Sequence, residues 1–266
     1  MDDIAAAARD LFRAHRSIRR FEERALDRAL INEVMLDAMA GSSSSGNLNQ
    51  VSVVRTWDPE RRAQLCRFHL NQAMVRQAPL VLTFCADAHR TRQWLAQRGV
   101  RKNFNNLLGY HAAAIDAIIL AQTTALLFES RGLGICYVGT TLHWASEIAR
   151  FLELPEHCLP ITSMVVGWPG EQPLPRERLP ATAWIHEERY EAPTPASIER
   201  DYHSYEKREW ARYTAMGEHV VRKMATMGID SLASYTTSDV GYPPAVFERD
   251  SARLRQLLVE KGFLDA

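Results

Sequence analysis

The longest apolar stretch of the chain runs from Leu107 to Phe128 and sets the first limit on the fold. Its length would allow a membrane-spanning helix, but it is interrupted by His111, Asp116, Gln122, Thr123 and Thr124. Polar side chains spread along a helix suit a protein core better than lipid. The sequence therefore predicts a core helix from about residue 104 to 130, ended by the glycines of RGLG at 131–134.

Segments rich in apolar and β-branched residues predict the strands of the fold. They are VSVVRTW (51–57), PLVLTFCAD (79–87), GICYVG (134–139) and CLPITSMVVGWPG (158–170), the last of which ends at a Pro-Gly turn. Apolar residues at three- and four-residue spacing predict helices over 3–14, 27–40 and 144–154, and Asp27 is placed to cap the second. We assign residues 1–185 to this core.

The remainder of the chain, residues 186–266, differs in composition from what precedes it. After a proline-punctuated loop, a polar helical region rich in Tyr and Arg is expected over about 196–225, and SARLRQLLVEKGF (251–263) predicts an amphipathic helix. We interpret this part as a helical extension that packs on a partner subunit or covers the active site.

Charge and cysteine usage exclude several classes of protein. Lys plus Arg equals Asp plus Glu at 32 each, so no overall positive field favours nucleic acid or an anionic membrane. The acidic N-terminus is unlike a signal peptide, which makes the cytoplasm the expected compartment. Cysteines 66, 85, 136 and 158 lack metal-ligand spacing and a disulfide framework, so no metal site is expected.

The most informative polar cluster is the basic segment, HRSIRR at residues 15–20. Guanidinium groups bind phosphate oxygens in a planar, bidentate way, and Ser17 adds a short hydrogen bond. A second pair, Arg176 and Arg178, follows the GWP strand end, and two such clusters can close on one phosphate. Considered alone, each cluster is better explained by a solvated surface.

Two further segments are candidates for ligand contact. The serine turn, SSSSGN at 42–47, offers hydroxyl groups, an amide and a glycine. Tyr137-Val138-Gly139-Thr140 ends a predicted strand with a glycine whose N–H could reach a planar ring. An ordinary polar turn and an ordinary strand end explain them equally well. The sequence lacks G-x-S-x-G, Walker, HExxH and G-x-G-x-x-G motifs, so hydrolase, P-loop and Rossmann functions lose support.

Taken in order, these segments resemble the nitroreductase family, in its flavin-reductase branch with a long C-terminal extension. HRSIRRF, SSSSGN, RGLGICYVG, LELPEHCLPITSMVVGWP and the arginine loop before LPA carry the resemblance, over about residues 10–190. It implies an α+β fold with a central, mostly antiparallel sheet between helices. It also implies an intertwined homodimer with two FMN sites at the subunit interface.

The resemblance also implies a role for each candidate residue. His15, Arg16 and Ser17 would hold the FMN phosphate, with Arg176 and Arg178 closing on it. Arg19 would lie near the pyrimidine edge of the flavin and stabilise the negative charge of the reduced ring. The remaining contacts would come from the serine turn and Gln72, and from the strand end, where the Gly139 N–H would lie near N5: Ser43, Ser44, Ser45, Asn47, Gln72, Tyr137, Val138, Gly139 and Thr140.

The chemistry that follows is hydride transfer from NADPH or NADH to flavin N5, and then ping-pong reduction of a small acceptor. The acceptor would be a nitroaromatic, a quinone or free flavin. Two alternatives stay open: an FMN-binding protein that stores, senses or delivers the cofactor with little turnover, and, ranked last, dehalogenating or flavin-fragmenting chemistry. The chain also departs from the family at three places. Family members often have glycine where this chain has Thr140 and lysine where it has Arg176. This chain also lacks the Asn-Asn-Arg-Arg-like stretch that the family uses around NADPH.

Overall fold

The computed structural model of the protein describes residues 2–215 and 217–265. Within them, four strands form one antiparallel sheet in the order β1-β2-β4-β3. The strands are β1 (Val51–Thr56), β2 (Leu80–Asp87), β3 (Gly134–Val138) and β4 (Cys158–Gly167). Helices and this antiparallel sheet together confirm the predicted α+β class.

The helices of the described residues lie before, between and after these strands. They are α1 (Asp2–Ala14), α2 (Arg28–Gly41), α3 (Pro59–Phe68), α4 (Ala73–Gln77), α5 (His89–Gln97), α6 (Leu107–Ser130), α7 (Ala145–Phe151), α8 (Pro195–Thr214), α9 (Glu218–Thr226), α10 (Leu232–Thr236) and α11 (Pro244–Glu260).

Strand β2 shows why the sheet needs cover on both faces. All eight of its residues are buried, and successive side chains of a strand point to opposite faces. Leu80, Leu82 and Phe84 pack in a cluster with α2 and α6. Val81 packs in another cluster with residues of α3, α4 and α7. The strand is therefore apolar throughout because helices cover it on both sides.

The long apolar helix α6 lies in the core, as predicted. Among the described residues it is the one helix whose length and composition would allow it to cross a membrane, but its buried face packs against the sheet and α2. It begins at Leu107 rather than near 104. Phe104 has a left-handed φ of 70°, and the Asn106 side chain caps the helix by accepting from the Gly109 N–H at 2.9 Å.

Other boundaries differ from the sequence pattern for local reasons. Strand β4 ends at Gly167 because the chain that follows pairs with residues after the basic segment, where the Glu22 N–H donates to the Trp168 carbonyl at 3.0 Å. The helix expected over 196–225 is two helices, α8 and α9, separated around Gly217 with its φ of 121°. Residue 216 of that prediction lies outside the described residues.

The chain divides into two compact units. The core unit comprises Met1–Pro175 and Asp250–Ala266, and the second unit is Arg176–Arg249. The boundary therefore falls ten residues before the predicted one, and the end of the chain returns to the core unit. There Leu257, Leu258 and Phe263 are buried beside Ala88 and Leu159. Packing of the extension on a partner stays a prediction.

Candidate functional site

The basic segment runs in extended form along strand β3. Helix α1 ends at Ala14, Ser17 forms a parallel bridge with Ile135, and the Ile18 N–H donates to the Ile135 carbonyl at 2.8 Å. A Cβ on Gly134 would lie 2.7 Å from the Ile18 side chain, so only glycine allows this close approach. The glycine that ends RGLG therefore fixes the place of the basic segment.

An open cavity of about 710 Å³ lies against this segment and is lined by His15, Arg16, Glu129 and Gly134, among others. His15 Nδ1 lies 2.6 Å from Glu129 Oε1. Since an ionised carboxylate only accepts, Nδ1 is the donor and Nε2 is left for another partner. The Arg16 Nε is buried without a hydrogen-bond partner. A buried guanidinium nitrogen of this kind is suited to an anion.

Arg19 and Arg20 are exposed, but their backbone is fixed. The Glu171 carboxylate accepts from the Arg19 N–H at 2.6 Å and from the Arg20 N–H at 3.1 Å. The Arg19 guanidinium donates to the Ser17 carbonyl at 3.3 Å. Glu171 therefore fixes the path of the backbone and leaves both arginine side chains facing solvent.

The end of strand β3 presents backbone rather than side chains to the outside. Val138 is fully buried, while Gly139 is exposed and a Cβ on it would meet nothing within 4 Å. Tyr137 donates its hydroxyl to Gln122 at 3.3 Å. Burial, with the Glu129 carboxylate nearby, raises the pKa of Tyr137. The open face at Gly139 leaves room for a flat group against the backbone.

Thr140, directly after this open face, is contacted by two side chains from the loop between α3 and α4. The Gln72 amide donates to the Thr140 hydroxyl at 3.3 Å, and His69 Nδ1 lies 2.9 Å from the same oxygen. The structure therefore brings together two predicted residues, Gln72 and Thr140. His69 was not predicted, because a lone histidine after a polar helix carries no signal in the sequence.

The serine turn is held at a different place, by Asp116 in the middle of α6. The Asp116 carboxylate accepts from the Ser44 hydroxyl at 2.6 Å, the Ser45 N–H at 3.4 Å and the Gln50 N–H at 2.8 Å. Ser43 and Asn47 are exposed. The buried carboxylate is therefore what shapes the turn, a role that its position in an apolar helix did not disclose.

Arg176 and Arg178 lie in the second unit. Arg176 forms an ion pair with Glu209, which also binds Arg212 at 2.9 Å. Arg178 is exposed, and its guanidinium donates to the carbonyls of Arg176 and Glu177. The expectation that both arginines close on the phosphate held by residues 15–17 stays a prediction.

Comparisons with known proteins agree with these features. The model of the nitroreductase family matches residues 12–168. The chain is 32% identical to an FMN reductase (NADPH) of Bacillus subtilis, over 68% of this chain and 73% of that protein. It is 36% identical to an NADPH-flavin oxidoreductase of Vibrio harveyi, over 67% of this chain and 72% of that protein.

The likeness in structure extends further along the chain. A solved structure of the NADPH:FMN oxidoreductase from Vibrio harveyi, complexed with NAD+, aligns with a TM-score of 0.77 and 27% identity. The alignment covers 97% of this chain and 99% of that one. Since the family model covers more than half of the sequence, including the basic segment and strands β1 to β4, the chain belongs to the nitroreductase family.

Proposed function

We propose that this protein is an FMN-dependent NAD(P)H oxidoreductase that reduces a small acceptor. The relatives from Bacillus subtilis and Vibrio harveyi described above are named for FMN or flavin reduction with NADPH. The observation that carries the proposal is that strand β3 has the basic segment beside its start and the open Gly139 at its end. A ligand with a phosphate at one end and a planar ring at the other needs a cationic site for the phosphate and an open backbone face for the ring.

The phosphate end fits the residues present. The Arg16 Nε is buried without a partner, and His15 has Nε2 left after Nδ1 is used by Glu129. A dianionic phosphate supplies acceptors for the Arg16 Nε–H and the Ser17 hydroxyl, and for His15 Nε2 when the ring carries a hydrogen on both nitrogens. Arg178, exposed in the second unit, is the better candidate for closing on the phosphate, since Arg176 is engaged by Glu209.

The ring end would be formed by backbone. Tyr137 to Thr140 would pass the flavin with the Gly139 N–H near N5, and the serine turn with Gln72 would contact the ring or its ribityl chain. When bound, FMN would supply the hydride and electron transfer between the nicotinamide and the acceptor. The exposed Arg19 guanidinium would stabilise the negative charge of the reduced ring. A nitroaromatic, a quinone or free flavin is the proposed acceptor, reduced by ping-pong kinetics.

We also propose a homodimer that covers one face of α6. Leu108, Ile115 and Ile118 lie on one side of this helix and are 79, 55 and 54% exposed. An apolar row of this kind is typical of an interface, and a second copy is the occupant that the family resemblance implies. We place the enzyme in the cytoplasm. Sedimentation of the purified protein tests the dimer, and a monomer at micromolar concentration contradicts it.

The test of the function is direct. The purified protein should be yellow or take up FMN, and NADPH or NADH should bleach it without oxygen. Failure to bind FMN rejects the proposal, whereas tight FMN binding with negligible reduction by either nicotinamide identifies a storage or delivery protein instead.

Arg16→Ala tests the phosphate end separately. Loss of a charge-assisted hydrogen bond, worth about 1.5–3 kcal/mol, should weaken FMN binding by roughly ten- to a hundredfold. Arg178→Ala should act in the same direction. The matched control is Arg222→Ala. That side chain is 78% exposed and forms an ion pair with Glu218, one turn earlier in the same helix. Wild-type affinity in both Arg16 and Arg178 variants contradicts the assignment.

A further inference from the structure

The hydroxyl of Thr140 is shared by two side chains, which makes it unlike an ordinary surface threonine. Gln72 Nε2 donates to Thr140 Oγ1 at 3.3 Å, and His69 Nδ1 lies 2.9 Å from it. Thr140 itself is half-buried and follows the exposed, open Gly139. The network therefore reaches from the protein interior to the place where the flavin ring is proposed to lie.

A strained turn brings the two side chains to one oxygen. Between His69 and Gln72, residues Leu70 and Asn71 both have left-handed φ angles, 53° and 54°. Asparagine tolerates this conformation, but leucine does so at a cost of about 1–2 kcal/mol. The Asn71 N–H donates to the Cys66 carbonyl in the last turn of α3 at 2.9 Å, and the Gln72 N–H donates to the His69 carbonyl at 3.1 Å. Strain that the surrounding structure maintains is frequent at functional sites.

His69 is fully buried, and its Nε2 has no hydrogen-bond partner. Burial lowers the pKa of His69 to about 4, so the ring is neutral at pH 7. In one neutral tautomer Nδ1–H donates to Thr140 and Nε2 is a bare acceptor. In the other, Nε2 carries a buried hydrogen with no acceptor. We assign the first, because it gives the one polar hydrogen of the ring a partner.

Counting hydrogen bonds then determines what Thr140 can offer. A hydroxyl has two acceptor positions and one hydrogen to donate. Gln72 occupies one acceptor position, because an amide nitrogen only donates, and His69 occupies the other. The hydroxyl hydrogen has to point away from both, and its acceptor must come from elsewhere.

We propose that Thr140 donates this hydrogen to the ring of bound FMN, beside the Gly139 N–H, with His69 and Gln72 as its positioning residues. The proposal rests on the proposed function and adds to it a flavin contact that a glycine at this position could not make. Because the acceptor positions of Thr140 are filled, the hydroxyl serves the ring as a donor. On the side of the ring where the Gly139 N–H is proposed to lie, the atoms that can accept it are N5 and the C4 carbonyl oxygen.

Thr140→Val and Thr140→Ser form the matched test, because valine keeps the shape and serine keeps the hydroxyl. We expect Thr140→Val to raise the dissociation constant of oxidised FMN about three- to tenfold, as loss of one neutral hydrogen bond implies. With FMN labelled by 15N and 13C, the NMR signal of N5 or C4 should shift in Thr140→Val. Thr140→Ser should keep both the affinity and the signal of the wild type.

His69 is tested through the same signals. His69→Leu should reproduce the shift seen in Thr140→Val. His69→Asn should keep the wild-type signal, because the asparagine amide can donate from nearly the position of Nδ1. Weaker FMN binding without a change at N5 or C4 in Thr140→Val would mean a purely structural role and overturn the proposal, as would an unchanged complex. If wild-type protein binds no FMN, the proposed function has failed before these variants are compared.

Discussion

The core unit and the second unit are stabilised by different interactions. In the core unit, strands β2 and β4 are buried along nearly their whole length between apolar clusters. In the second unit, the buried side chains include two acids, Asp201 and Glu209, each paired with arginine. Helices α8 and α10 begin with capping boxes. One unit is maintained mainly by apolar burial and the other to a large extent by polar contacts.

The difference bears on how each unit responds to change. Burial of apolar surface is cooperative and non-directional, so loss of one core side chain weakens the whole sheet. Ion pairs and caps act over one or two turns of helix. We therefore expect damage in the core unit to lower global stability, and damage in the second unit to increase local opening.

The largest effect is expected for Phe84→Ala in the centre of β2. Phe84 is fully buried among the residues that join the sheet to α6, and a cavity of this size costs about 3–5 kcal/mol. Urea unfolding should show that loss in the free energy of unfolding. Leu174→Ala is the control, because Leu174 is 85% exposed. A loss below about 1 kcal/mol for Phe84→Ala would contradict the comparison.

The same difference explains how much of the fold could be predicted. Strands such as β2 have long apolar runs, and α6 is apolar along most of its length, so both were found to within three residues. Helices α3 and α5 were missed because their residues are mainly charged or polar and show little periodicity. The boundary of α3 depends instead on the Asp58 side chain, which caps the Arg61 N–H at 2.8 Å, and on Pro59 in the first turn.

The candidate site was predictable where it depends on residues close together in sequence, as in the basic segment and Tyr137 to Thr140. It was not predictable where one distant side chain sets the geometry. Asp116 is 72 positions from Ser44, and His69 is 71 positions from Thr140. Only the tertiary structure pairs them, and neither aspartate nor histidine has a motif around it that would mark the partner.

A buried histidine in the core unit and an exposed one in the second unit offer the next test. The pKa of His69 is lowered by burial from 6.5 to about 4. Between these values the unfolded chain binds a proton that the folded chain does not, so stability falls as pH decreases. The loss should approach about 3 kcal/mol by pH 4.

Urea unfolding of the wild type and His69→Asn at pH 7 and pH 4.5 measures this contribution. The variant should lose less stability on acidification than the wild type, because it has no imidazole to protonate. His203→Asn serves as the control, since its side chain is 70% exposed in α8. Equal losses in the wild type and His69→Asn would show that the burial of His69 does not contribute to acid unfolding.

The smallest effect, and the one most specific to the second unit, is expected for Glu209→Gln. The Glu209 carboxylate is 5% exposed and binds both Arg176 and Arg212, which are 38 and 46% exposed. Breaking a fully buried pair costs about 3–5 kcal/mol, but solvent screens these arginines, so we expect about 1–2 kcal/mol.

Hydrogen exchange should accelerate about tenfold in α8 and stay unchanged in β2. Glu218→Gln is the control: its ion pair with Arg222 is largely exposed, so hydrogen exchange should change in neither α8 nor β2. Equal acceleration in α8 and β2 would mean that polar contacts in the second unit contribute to global stability, and the contrast between the two units would then be wrong.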